Sequence, residues 1–381
     1  MKEEFDNGHG GKLRRVVVKI GTSTLVDEKK RLKIGFLYEV ARQVDELRKH
    51  DIDTLIVTSG AIGIGVRRLR LKKKPDDVPT LQACAAIGQV ELASRYDEAF
   101  YHYGIQMAQV LLTRYETGVR ESYLHARDTL EKLLELHIVP LINENDTVAV
   151  DEILFGDNDT LATVVATMIN ADLVILLTDI DGLYTADPRK SEDAELLEKV
   201  GDLTEDLYNA AGGSGSTLGS GGMITKVKAA RVLMSAGIPM VICQGSRPNV
   251  ILDVARGENI GTLFDSNGGK HHTNAKKLWI ALGRRPEGDV LIDDGAVKAI
   301  REKGSSLLPV GVKSISGEFE AGDPVNIMTV DGKLVGRGIV RMGHEDLDSV
   351  KGMKSSEIKE DEKLSHLGNR VVVHRNEMVI F

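Results

Sequence analysis

The residues best suited to chemistry in this chain are two lysines set beside glycines. Lys19-Ile20-Gly21-Thr22-Ser23 puts an ammonium near the end of an apolar run and follows it with a glycine, where backbone N–H groups can approach an anion. Gly219-Ser220-Gly221-Gly222-Met223-Ile224-Thr225-Lys226 runs glycines straight into a stretch of helical period whose apolar face includes Val227, Ala230, Val232 and Leu233. Unpaired amides and the positive end of a dipole make such a helix start a ready anion site, and glycine lets the anion come close. Each has a plainer reading, since a strand-end lysine is often only solvated and a Gly/Ser run only a loop. Thr58-Ser59-Gly60-Ala61, with Gly63 and Gly65 behind it, offers amides and a hydroxyl that suit a carboxylate as well as a phosphate, or else a tight packing turn.

Two polar clusters, both read as loops, lie close together: Asn143-Glu144-Asn145-Asp146 after IVPLI, and Gly156-Asp157-Asn158-Asp159 before a helical stretch. Asp157 or Asp159 suits a helix cap. Two such clusters exceed what capping requires, and the surplus points to a ligand ammonium, a metal or lysine partners. Thr178-Asp179-Ile180-Asp181-Gly182-Leu183-Tyr184 leaves another apolar run with groups able to border a nucleotide base. The G-x-x-x-x-G-K-[ST], G-x-G-x-x-G and protein-kinase signatures are all absent, so a phosphate would have to be gripped in some other way.

The elements that must position these groups follow a β, α, β, α rhythm. RVVVKI precedes a helical face made of Ile34, Leu37, Val40, Ala41, Val44 and Leu47; TLIVT precedes a helical stretch ending near Tyr103. QVLLT, the helix around Leu130 to Leu136, IVPLIN, the helix from Asp159 to Asn170, DLVILLT, the helix after Thr225 and PMVIC continue it. Uniformly apolar strands separated by helices predict an α/β fold with a mainly parallel sheet covered on both faces. Ligands of such sheets bind at the carboxyl ends of the strands, where every motif above falls. After about Asp265 the rhythm stops. SNGGKHHTNAKK reads as a linker, and beyond it one helical stretch, Gly295 to Lys303, and short runs such as PVGV, PVNIM, LVGRGIV and RVVVH predict a small, mostly β module.

Composition narrows the function. At 381 residues, 42% hydrophobic and 28% charged, the chain is that of a folded protein long enough for two domains. A net charge of -8 disfavours bulk nucleic-acid binding, although a local positive pocket remains possible. Cys84 and Cys243 stand far apart with no metal or redox spacing, which fits a reducing, cytoplasmic setting. The opening MKEEFDNGHGGK lacks the apolar core of a secretory signal and reads as a flexible tail, and no apolar run reaches the length needed to span a bilayer.

Taken in order, KIGTS, TSGAIG, NENDTV, GDND, TDIDGLYTADPR and GSGGMITK resemble the amino acid kinase family from about Val16 to Phe264, and GSSLLPVGV, FEAGDPVNI and LVGRGIV resemble a PUA domain. The resemblance implies a flexible tail over residues 1–12 and a three-layer αβα domain with a mainly parallel central sheet over 13–265. It further implies a linker over 266–285 and a mostly β, PUA-like domain over 286–381. It implies an ATP-dependent transfer, with Mg²⁺, to the side-chain carboxylate of L-glutamate, giving L-glutamyl 5-phosphate at the first step of proline biosynthesis. Proline as feedback inhibitor and a homo-oligomer, dimer or tetramer, come with it. Aspartate, N-acetylglutamate, carbamate and UMP remain alternative acceptors. RNA binding by the tail is a further alternative, although residues 289–381 carry 13 Lys/Arg against 16 Asp/Glu, a balance of -3.

Position by position, the resemblance implies that Lys19 and Lys226 contact the ATP phosphates and the transferring group, while Asp159 organises the two lysines. Thr178 and Asp179, with Ser220, Gly221, Gly222, Met223, Ile224, Thr225 and Lys226, would line the nucleotide site. Ser59, Asp146 and Asn158 would hold glutamate, with Gly60 and Asp157 nearby, and no protein metal ligand is implied. Ser220 and Ile224 depart from the family pattern, which more often shows threonine and a small polar residue; backbone and the terminal lysine do the gripping there.

Overall fold

RVVVKI becomes β1 (Arg15–Ile20), and Val16, Val17, Val18 and Ile20 are all fully buried, as a strand covered on both faces must be. In this computed structural model the described residues are 5, 12–113, 119–148, 158–186, 191, 193–204, 207, 222–265, 286–368 and 370–380. They belong to two compact units, Met1–His272 and Thr273–Phe381.

In the first unit β1 is followed by α1 (Thr22–Leu25), α2 (Ile34–Lys49), β2 (Asp53–Val57), α3 (Ala61–Arg68), α4 (Val78–Tyr101), β3 (Met107–Leu112), α5 (Arg120–Glu135) and β4 (Val139–Glu144). Then come α6 (Asn158–Met168), β5 (Leu173–Thr178), β6 (Lys199–Val200), α7 (Met223–Ala236), β7 (Met240–Gln244), α8 (Val250–Ala255) and β8 (Thr262–Phe264). The sheet order is β3-β4-β2-β1-β5-β7-β8-β6, parallel throughout except for the antiparallel pair β7 and β8. β1 sends the chain to β2 on one side, whereas β5 leads on to β7 on the other. The carboxyl ends of β1 and β5 therefore flank a topological switch point, the place where open α/β sheets hold ligands.

Strand alternation sorts β1 into two faces. Val16, Val18 and Ile20 join a core with Leu37, Val40, Ala41, Val44 and Leu47 of α2, spaced three and four apart on one helical face. Ile34, expected on that face, is exposed at the first position of the helix. Val17 and Lys19 alternate to the opposite face, where α6 packs against β1. Asp159 and Leu161 to Met168 of α6 are all buried, with Thr160 half-buried, so α6 is an interior helix.

The stretch expected to run as one helix to Tyr103 is two. α3 ends at Arg68, and α4 starts anew with Asp77 accepting a hydrogen bond from the Thr80 N–H at 2.9 Å. α3 and α4 then meet backbone to backbone. A Cβ on Gly65 would lie 1.8 Å from the Cys84 carbonyl oxygen, and one on Gly88 would lie 1.8 Å from that of Ala61. Phe5, within the stretch read as a flexible tail, is buried: its ring stands edge-on to His50 at 4.9 Å with the Arg256 guanidinium 5.6 Å above it.

The second unit is a five-stranded sheet in the order β10-β9-β11-β12-β13, formed by β9 (Gly288–Ile292), β10 (Val312–Gly317), β11 (Pro324–Thr329), β12 (Leu334–Val340) and β13 (Val373–Ile380). β9 and β11 pair in parallel and the other neighbours antiparallel. Among the described residues its α-helices are α9 (Asp294–Lys303), α10 (His344–Val350) and α11 (Ser355–Glu360). PVGV, expected as a strand, spends Pro309–Gly311 in a 3-10 turn, because proline lacks the N–H a ladder needs, and only Val312 enters β10. RVVVH contributes only Val373 and His374 to a strand. Among the described residues no helix is long and apolar enough to cross a membrane.

The α3–α4 contact sets the position of the turn at Ser59 and Gly60, which gives the first prediction. Gly88→Ala forces the helices apart and is expected to destabilise the protein by about 1–3 kcal/mol. A thermal melt unchanged from that of the parent chain would show that the contact is not tight.

Candidate active site

Strand alternation and helix phase bring three charges from distant parts of the sequence to one point. The Lys19 Nζ of β1 lies 2.6 Å from Asp159 Oδ1 and the Lys226 Nζ of α7 lies 3.1 Å from Asp159 Oδ2. Thr225 Oγ donates a 2.8 Å hydrogen bond to the same Oδ2. All three charges are inside the protein, with 7% of Lys19, 1% of Asp159 and 6% of Lys226 exposed. Burial pushes the Asp159 carboxyl up; the charges of Lys19 and Lys226, with hydrogen bonds from Lys19 and Thr225, outweigh it and bring it down to about 2. Two ammonium groups sharing one carboxylate leave an excess positive charge among the three, an arrangement that suits an anion.

The strand ends around this point converge. The Gly21 N–H donates to the Leu177 carbonyl at 3.1 Å, joining the exits of β1 and β5, and Ser59 Oγ donates to the Ile20 carbonyl at 2.9 Å, tying the exit of β2 to that of β1. Gly60 takes φ +94°, a left-handed conformation that glycine adopts without a Cβ penalty, and begins α3 as its cap. Thr178 ends β5 and closes a small turn, donating to the Ile180 carbonyl at 2.7 Å and accepting from its N–H at 3.1 Å. Asp179 is exposed just beyond. Gly222 caps α7, and Met223, Ile224, Thr225 and Lys226 form its first turn; the N–H groups of Met223 and Ile224 have no helical acceptor, while that of Thr225 donates to the Gly222 carbonyl at 3.2 Å.

Asn158, the first residue of α6, sits beside Asp159 and donates through Nδ2 to the Thr58 carbonyl and, at 2.9 Å, to Asn143 Oδ1. Asp159 is thus in direct contact with Lys19, Thr225 and Lys226, while Asn158 is its neighbour in sequence and Ser59 is tied to Ile20, the residue after Lys19. Asp146 is half-buried in a turn beyond β4, where the Val148 N–H donates to the Asn145 carbonyl at 3.1 Å. Asp157, Ser220 and Gly221 lie outside the described residues.

The sequence reading put Asn143 and Glu144 in a loop. They are instead the last two residues of β4, paired with Leu111 and Leu112 of β3, and both are buried. Asn143 Nδ2 in turn donates to Gln89 Oε1 of α4 at 2.7 Å. Gln89 was not anticipated, because it carries no motif and lies 54 positions from its partner. The Cys243 thiol is pushed up to about 12 by burial, so it stays protonated and inert.

The amino acid kinase family description matches residues 14–244 and the PUA domain description residues 288–361. The chain belongs to the amino acid kinase family. Within it, the chain is 42% identical over 369 residues to a Glutamate 5-kinase of Caldanaerobacter subterraneus, covering 96% of this chain and 97% of the relative. It is 42% identical to a Glutamate 5-kinase of Carboxydothermus hydrogenoformans, covering 97% of this chain and 98% of the relative. A solved structure of isopentenyl phosphate kinase covers 66% of this chain and 99% of its own at 18% identity and a TM-score of 0.47.

Because its value when folded, about 2, lies below the ordinary 3.8, Asp159 stabilises the fold fully above about pH 4, and that contribution is lost as the pH falls from about 3.8 to about 2. Asp159→Asn leaves two buried ammonium groups facing a neutral amide and is expected to destabilise the protein by about 3 kcal/mol at neutral pH. It should also flatten the fall in stability between pH 4 and pH 2. Denaturant melts of both proteins across that range check it, and identical pH dependence would remove Asp159 as the titrating group.

Proposed function

We propose that this chain transfers the γ-phosphoryl group of ATP to the side-chain carboxylate of L-glutamate, forming L-glutamyl 5-phosphate and ADP at the first step of proline biosynthesis. The observation that carries this is the pair of buried lysines sharing Asp159 at the sheet's switch point, in a chain similar over almost its whole length to relatives named Glutamate 5-kinase. A free glutamate side chain, with pKa about 4.3, is already ionised at neutral pH, so the attacking oxygen needs no general base. The difficulty is electrostatic: two anions must be brought together and held in line.

Lys19 and Lys226 meet that requirement from opposite sides. An ammonium about 4 Å from a phosphate oxygen contributes on the order of 4 kcal/mol per unit charge at intermediate dielectric, before desolvation is deducted. Asp159 holds both ammonium groups in place so that little reorganisation is needed as charge shifts toward the leaving ADP. The open amides at the start of α7, from Gly222 through Ile224, take further phosphate charge, with Ser220 and Gly221 before them and Thr225 after. Thr178 and Asp179 border the nucleotide. Ser59, Gly60, Asp146, Asp157 and Asn158 hold glutamate, with Asp146 on its ammonium. Mg²⁺ enters as the ATP complex, carried by phosphate oxygens, since both oxygens of Asp159 already face cations.

The catalytic domain spans residues 13–265 and the PUA-like domain 286–381. Proline as feedback inhibitor, a dimeric or tetrameric assembly and a cytoplasmic setting complete the reading.

Incubation with ATP, Mg²⁺ and hydroxylamine traps an acyl phosphate as a coloured hydroxamate. A signal with glutamate, suppressed by proline and absent with aspartate, N-acetylglutamate or carbamate, is expected; a signal with one of those acids alone would replace the substrate. Asp146→Ala is expected to raise the glutamate KM at least about tenfold while leaving the ATP KM within about twofold. Equal effects on both substrates would sink the assignment of Asp146 to the ammonium.

A further inference from the structure

Three side-chain amides, from Asn158, Asn143 and Gln89, form a chain whose direction is dictated by a backbone atom. The Thr58 carbonyl can only accept, so the Asn158 atom facing it must be the amide nitrogen. The same Nδ2 lies 2.9 Å from Asn143, whose facing atom must then be the acceptor Oδ1. That turns Asn143 Nδ2 toward Gln89 at 2.7 Å and requires Oε1 there. With both hydrogens of its nitrogen committed, Asn158 has only its Oδ1, an acceptor, left to offer a ligand. Gln89 closes the chain. Its Nε2 is shut off from solvent and has no partner among the described residues, so rotating its amide would instead place a second donor against the Asn143 nitrogen.

The long helix α4 is held where this requires it. Gly88, next to Gln89, lets the helix touch the Ala61 backbone, which follows directly on Ser59 and Gly60. Asn143 is itself almost fully buried at the end of β4, so its amide cannot turn toward water for relief.

We infer that Gln89 is a positioning residue which, through Asn143, locks Asn158 with its acceptor oxygen toward the substrate, and that this makes the site select an acid bearing a hydrogen-bond donor, the α-ammonium, at that point. The inference rests on the proposed glutamate reading and adds to it a reason for discrimination against acids of the same length without the amino group. Without Gln89 the Asn143 amide can flip and set its nitrogen against Asn158 Nδ2, which leaves the Thr58 carbonyl, among the described residues, as the sole hold on the Asn158 orientation.

The test compares glutamate with glutarate, the same five-carbon dicarboxylate lacking the amino group, in the hydroxamate assay on the full chain. The parent protein is expected to prefer glutamate strongly. Gln89→Met, of similar length but with no amide, is expected to lower the ratio of kcat/KM for glutamate over glutarate by about tenfold or more, through the glutamate KM, with the ATP KM within about twofold. Gln89→Glu keeps an acceptor for Asn143 and is expected to retain most of the preference. A merely structural role would lower both substrates together and leave the ratio alone; an unchanged ratio in Gln89→Met, or an equal loss in Gln89→Glu, overturns the inference. Should Gln89→Met not fold, Gln89→Leu and the Gln89→Glu result carry the same comparison. A parent protein that forms no acyl phosphate from glutamate would instead overturn the function on which the inference rests.

Discussion

The bidentate grip of Asp159 on two lysines is the constraint the first domain is arranged around. Taking one charged group out of water costs several kcal/mol even after relaxation, and here three are buried together. Their attraction offsets that cost only at hydrogen-bond distance, and 2.6 Å and 3.1 Å meet the condition. The need for such distances fixes how β1, α6 and α7 are placed relative to one another, because each contributes one member. An error of a single residue in the register of β1 would turn Lys19 to the other face and leave Asp159 against apolar side chains.

The sheet supplies that register. β1 is paired in parallel on both sides, with Lys19 opposite Val57 of β2 and Leu176 of β5, so its phase is set twice. The exits of β1, β5 and β2 are then tied through main-chain acceptors, Leu177 taking the Gly21 N–H and Ile20 the Ser59 hydroxyl. An anion arriving at this corner meets groups already held in place, and little of its binding energy is spent on ordering them.

Much of this was legible beforehand. Runs such as RVVVKI and DLVILLT are apolar on both faces, which only a covered parallel strand explains, and the lysines and glycines stood at their ends. What escaped reading had physical causes. β6 and β8, of two and three residues, are too short to show alternation. Asn143 has the look of a turn residue, since asparagine favours turns, yet its buried place in β4 is made tolerable by amide partners on both sides. Those partners lie on α4 and α6, and the pairing with Gln89 leaves no local trace in sequence. Phe5 was lost among polar neighbours, although a lone aromatic can dock where charged ones cannot.

The division between charged and neutral groups has a reason of its own. In the proposed transfer the field on the phosphoryl group comes from the small excess of positive charge left by Lys19, Lys226 and Asp159, and any further ionised residue placed against them would shift it. On the proposed glutamate side, Asp146 supplies the charge for the ammonium, and further selection can come from groups that carry direction without net charge. Amides do this, since each presents a donor and an acceptor whose order can be fixed by its neighbour. Anchoring the chain of amides on the Thr58 carbonyl gives that order an origin that cannot flip. Charge for transfer and polarity for recognition can then be tuned separately, although Asn158 and Asp159 are adjacent residues of one helix.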